Sequence, residues 1–107
     1  MSKMFDAILR LIRDKNILVS EHGYDEMMYD DILFRDVIDG VTEGVVIEEY
    51  PDYHKGPCIL VLQNDCVGRP IHVVWGVPKN RRFPAVLVTA YRPDPDRWSD
   101  DFLRRKI

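Results

Sequence analysis

Arg69-Pro70-Ile71-His72-Val73-Val74-Trp75 and, further on, Val88-Thr89-Ala90-Tyr91-Arg92-Pro93 decide how this chain is read. Both runs are rich in β-branched and aromatic residues, and they read as neighbouring strands. Parity along the first puts Ile71, Val73, Trp75 and Val77 on one face and His72, Val74 and Gly76 on the other. Along the second, Leu87, Thr89 and Tyr91 share one face, and Val86, Val88 and Ala90 take the opposite one. With the connecting loop centred near residue 81, antiparallel pairing sets His72 opposite Tyr91 and Val74 opposite Thr89. A histidine, a threonine and a tyrosine then lie within reach on one side of a sheet. They either carry proton-transfer chemistry or complete a polar sheet surface.

Working outward, residues 58–64 and 45–50 read as two further strands, flanking the turn-rich Pro51-Asp52-Tyr53-His54-Lys55-Gly56-Pro57. With strands at 70–77 and 85–92, the short connections favour an antiparallel meander. Helices come first. Phe5, Ile8, Leu9 and Ile12 repeat at helical spacing over 4–14. Ile17-Leu18-Val19 is a short extended segment. Ser20 is a good N-cap for a helix over 21–29 with Tyr24, Met27 and Met28 as its buried stripe. A third helix over 32–40 turns Phe34, Val37, Ile38 and Val41 inward and closes at Asp39-Gly40 with a glycine cap. The tail opens as Pro93-Asp94-Pro95 and ends in a short basic helix at most. The expected class is α+β, N-terminal helices packed on a four-stranded antiparallel sheet, in a single domain over 1–107. Its core is 17–98, with an N-terminal helix in 1–14 and a basic tail at 99–107.

At 107 residues with 46% hydrophobic content the chain can bury a core without staples. Its formal charge of −3 speaks against avid, non-specific nucleic-acid binding, although Lys79, Arg81, Arg82, Arg92, Arg97, Arg104, Arg105 and Lys106 load the C-terminal third with positive charge. No apolar run approaches the roughly 18–20 residues that span a bilayer, and Asp6, Arg10 and Arg13 break any secretory h-region. The expectation is a cytoplasmic protein with no membrane partner. Cys58 and Cys66, eight residues apart on extended chain, would be separated by roughly 26 Å. A disulfide needs Cα atoms within about 7 Å, so two free thiols are expected. No cysteine or histidine pair has zinc-site spacing, and no phosphate-binding glycine loop or nucleophile elbow is present, so neither metal nor cofactor is expected.

Among candidate site residues, His72 can exchange a proton near neutral pH, Tyr91 can donate one, and Arg92 beside it can clamp an anion. His22, just inside a helix N-terminus, sits where unpaired N–H groups favour anions. Each histidine equally suits a structural role, one hydrogen-bonded on its strand and the other a polar first-turn residue.

Ser20-x-His22-Gly23-x-x-x-Met27, Glu48-x-Tyr50-Pro51, Pro70-x-His72-Val73-Val74 and Thr89-x-Tyr91-Arg92-Pro93 together resemble a small bacterial domain family of unknown function. Its members open with Ser-x-His-Ala and close with Thr-Val-Tyr-Arg-Pro. That family is similar to the RelE/barnase/EndoU-type fold group, which includes metal-independent RNases and toxins of toxin–antitoxin pairs. The resemblance implies His22, His72, Thr89, Tyr91 and Arg92 as site residues, RNA as substrate, and a cognate antitoxin as partner. Two departures stand out. Gly23 replaces alanine in a helix first turn, expected to loosen it by about 1 kcal/mol. Leu33 replaces a capping serine, which leaves Asp30 or Asp31 to cap the third helix. The alternative from another class is a non-catalytic interaction module. Its Tyr50-Pro51-Asp52-Tyr53 loop, Trp98 and Phe102 would anchor a protein partner or a second copy of the chain.

Overall fold

The computed structural model describes residues 2–106; Met1 and Ile107, the ends of the expected single domain, lie outside the described residues. The chain forms α1 (Lys3–Arg13), β1 (Ile17–Val19), α2 (Glu21–Tyr29), α3 (Phe34–Gly40), a 3₁₀ turn (Val41–Glu43), then β2 (Val45–Tyr50), β3 (Cys58–Asn64), β4 (Pro70–Gly76) and β5 (Ala85–Tyr91). The class is α+β. The sheet has five strands in the order β1-β5-β4-β3-β2 and is mixed. Strands β2 to β5 form the expected antiparallel meander, but the extended segment at 17–19 joins it as a fifth strand, parallel to β5. Ile17 pairs with Ala85 and Val19 with Leu87. Three residues are too few to show a period, and their partner is distant in sequence, so the pairing left no local signal.

The core lies between the helices and one sheet face. Phe5, Ile8 and Ile12 of α1, Met27 of α2 and Val37 of α3 meet Ile59, Val61, Ile71, Val73, Trp75, Ala85, Leu87 and Ala90. Leu87 belongs to this face because Val88 is an extra residue: Val74 pairs with Thr89, yet Trp75 pairs with Leu87. The bulge corrects the simple alternation, which had placed Leu87 with Thr89 and Tyr91.

Helix α2 departs from expectation in its buried stripe. Gly23 and Met27 face inward, whereas Tyr24 and Met28 are 58% and 63% exposed. Where β1 ends, α2 runs beside β5, and Ser20 ties the two together. Its backbone N–H donates to the Leu87 carbonyl, its hydroxyl donates to the Val88 carbonyl, and the same oxygen accepts the Gly23 N–H. A Cβ at Gly23 would stand 2.7 Å from the Leu87 carbonyl oxygen, so the missing side chain sets how closely the helix approaches. Two other local expectations fail. Leu33 is the N-cap of α3 with no side-chain bond, while Asp30 closes α2 and uses its carboxylate on the Arg92 N–H. Gly40 remains helical and the chain continues into the 3₁₀ turn; a Cβ there would meet the Asn64 carbonyl at 2.7 Å. Phe34 is partly exposed rather than buried.

The opposite sheet face is covered by the tail. After Tyr91, residues 93–106 form turns and a single bridge between Trp98 and Arg105, with no helix. Among the described residues, no helix is long and apolar enough to cross a membrane.

Candidate functional site

Strand pairing delivers His72 and Tyr91 to the tail side of the sheet, directly opposite each other. His72 Nδ1 lies 3.2 Å from the Tyr91 hydroxyl, and the two rings meet edge-on. The other ring nitrogen, Nε2, lies 2.8 Å from the Phe102 carbonyl. A carbonyl only accepts, so Nε2 carries the proton and Nδ1 accepts from the tyrosine hydroxyl. Trp98 packs edge-on against the imidazole with ring centres 4.4 Å apart. His72 is thereby fully buried, at 0% exposure. Burial pushes its pKa below the usual value of 6.5, and the nearby Arg105 charge acts the same way; the Phe102 carbonyl and Glu48 oppose them. Burial likewise raises the Tyr91 hydroxyl above 10.0, so Tyr91 is held as a proton donor.

A charged rim surrounds this pair. Glu48 of β2 accepts from Arg105 at 2.8 Å and from the Tyr50 hydroxyl. Both bonds, Tyr50 first, hold the Glu48 carboxyl below its ordinary range. The Arg105 guanidinium also sits 4.7 Å over the Trp98 ring. Beside Tyr91 opens a cleft of about 750 Å³ lined in part by Arg97, Trp98, Arg105 and Lys106.

The other candidates fall elsewhere. Thr89 lies on the same face opposite Val74, and among the described residues it makes no hydrogen bond to His72 or Tyr91. His22 projects from the exposed surface of α2, 3.7 Å from Glu26, and the structure does not bring it to His72. Arg92 also lines the cleft, but its Nη1 is held 2.9 Å from Asp65. Burial alone would raise the Asp65 carboxyl. The Arg69 and Val67 N–H groups and the Arg92 guanidinium outweigh it and hold the pKa low. Glu48, Arg105 and the Phe102 carbonyl were not singled out from the sequence. Strand parity does place Glu48 and Tyr50 on one face, but nothing local says which. Asp65 had a signal: a carboxylate three residues before Gly68 is typical of an Asx turn. Among the described residues, no group of three His, Cys, Asp or Glu side chains is placed to hold a metal.

The family profile described as a domain of unknown function (DUF4258) matches residues 19–92, and the chain belongs to that family. No curated protein and no solved structure matches it. The matched span includes His22, His72, Thr89, Tyr91 and Arg92 and stops before the tail residues that pack on His72.

Proposed function

We propose that the chain is a metal-independent endoribonuclease of the toxin type, a RelE/barnase-like domain that cuts RNA by attack of the 2′-hydroxyl on the adjacent phosphate. The observation that carries this reading is the His72–Tyr91 pair, joined at 3.2 Å, beside a cleft that bears Arg97, Arg105 and Lys106. Four antiparallel strands in chain order under a helical layer support the fold comparison.

The chemistry balances on these two residues. The 2′-hydroxyl proton passes to an imidazole nitrogen as the new P–O bond forms. The 5′-oxygen leaves with the Tyr91 proton, and a 2′,3′-cyclic phosphate remains. The imidazolium and phenolate then neutralise each other by proton transfer across their contact. Cations of the cleft stabilise the charge that builds on the phosphorane. Arg92 and Arg105 both line the cleft, and each must exchange its carboxylate, Asp65 or Glu48, for the phosphate to act here.

The test is RNA cleavage by the purified chain in EDTA, beside His72→Ala and Tyr91→Phe, with analysis of the product ends. Cyclic-phosphate ends that vanish in both variants are expected. Failure of the parent to cut several RNAs would favour the second reading, a non-catalytic module that binds an antitoxin-like protein or a second copy. One observation supports that reading: both ring nitrogens of His72 already face protein atoms.

A further inference from the structure

Residues 97–106 lie across the one sheet face that carries His72 and Tyr91, yet the family match ends at residue 92. The cover lies outside the matched span, on the surface that carries the His72–Tyr91 pair. Its attachment is sparse. Among the described residues, two side-chain contacts tie it to the sheet by hydrogen bonds: His72 with the Phe102 carbonyl, and Arg105 with Glu48. Trp98 adds packing over the imidazole. The remaining polar bonds of the segment are mostly its own. The Ser99 N–H donates to the Arg104 carbonyl, the Phe102 N–H to Ser99, and the Lys106 N–H to Arg97. It is a turn held largely by its own hydrogen bonds, following Pro93-Asp94-Pro95.

Two features show where it would give way. Phe102, whose carbonyl blocks His72 Nε2, has φ of 61°, a left-handed conformation that is strained for a bulky side chain. The Arg105–Glu48 pair is substantially solvent-exposed, with side chains at 59% and 35%, and such pairs hold weakly and yield to salt.

We propose that residues 97–106 form a self-occluding strap, latched by Arg105 on Glu48, which closes the His72–Tyr91 face and lifts to admit a ligand. The strap withdraws His72 Nε2 from any substrate while closed, and the sheet beneath keeps its own ladder when the strap leaves. The inference stands apart from RNA cleavage, since it concerns access to one imidazole whatever that face binds.

The test is the rate at which diethyl pyrocarbonate modifies each histidine, read by peptide mass spectrometry on the full chain, with amide exchange of β3 and β4 followed in parallel. Glu48→Ala and Arg105→Ala should each speed modification of His72 at least ten-fold. His22 and His54 should react as in the parent, and protection of β3 and β4 should persist. High salt should speed His72 in the parent alone. If His72 reacts in all three proteins only as fast as β3 and β4 exchange, it becomes accessible through global unfolding and the strap is ruled out. A chain that fails to cut RNA but opens at His72 would retain the strap and lose the nuclease reading. Cleavage with His72 access insensitive to both substitutions would do the reverse.

Discussion

Asp65 Oδ2 lies 2.9 Å from Arg92 Nη1, joining the β3–β4 turn to the residue that follows β5. The other carboxylate oxygen, Oδ1, accepts the N–H groups of Val67 and Arg69, at 3.0 and 2.9 Å. Arg92 in turn gives its backbone N–H to Asp30 at the end of α2. One arginine therefore fixes a turn, a strand end and a helix end.

Asp65→Asn removes the charge and keeps the shape, leaving a largely enclosed guanidinium without its counter-ion. We expect a loss of about 2 kcal/mol in urea unfolding, the scale of a hydrogen bond to a charged group. A loss indistinguishable from zero would show that Arg92 finds another partner and is free to serve the cleft.

His72 makes stability depend on pH in a defined window. Its folded pKa lies below the 6.5 of the unfolded chain, so below pH 6.5 the unfolded state takes up a proton that the folded state refuses. The contribution is complete above pH 6.5 and declines as pH falls towards the folded value, at no more than about 1.4 kcal/mol per pH unit. Unfolding midpoints at pH 7.5, 6.5 and 5.5 should fall for the parent and change less for His72→Gln. Parallel curves would assign the decline to other groups. The Asp65 and Glu48 carboxyls, both held low, lose their contributions only at more acidic pH.

Gly23→Ala reverses the usual rule for helices. Alanine normally favours a helix by about 1 kcal/mol, but here its methyl would stand 2.7 Å from the Leu87 carbonyl and crowd the Ser20 hydroxyl. We expect a net loss of about 1–3 kcal/mol, typical of overpacking. Thermal unfolding of the variant decides the sign, and a raised melting temperature would mean that α2 moves outward without cost.

The two thiols should separate kinetically. Cys66 is exposed and Cys58 buried. An excess of Ellman's reagent should label one thiol per folded chain and the second only in denaturant. The charge of Asp36 holds the Cys66 thiol above its ordinary pKa, so labelling should accelerate as pH rises. Rapid release of two equivalents from folded protein would show that β3 opens at its first residue.

The register of His72 on Tyr91 was legible because long β-branched runs and a short loop leave few alternatives. Parity read the near half of β5 correctly and failed across Val88, since a bulge needs only one unpaired residue and has no compositional mark here. Met27 was found and Tyr24 misplaced because α2 meets the sheet along Gly23 and Met27, a strip narrower than the apolar residues suggest. The sequence offers Arg92 as an anion clamp beside Tyr91, because its neighbours say nothing of the Asp65 carboxylate that arrives from another turn. Trp98 suits either a partner anchor or packing of a tail folded back on the sheet, and at 5% exposure over His72 it takes the second role. Long-range closures of this kind depend on where the chain returns, which local spacing does not record.

The way β5 is flanked has a consequence for life at high concentration. An unfinished strand recruits whatever chain comes next, including identical molecules. Here the outer side of β5 is filled first by β1 and then by the helix that Ser20 anchors, so the margin on that side is a strand of only three residues, too short to serve as a template. The other margin, β2, is interrupted at Ile47 and carries Glu48 and Glu49, a break and two negative charges that discourage a neighbour of the same sequence. The molecule can therefore keep tyrosines and methionines in water while denying its own copies a place to zip on and grow into fibres.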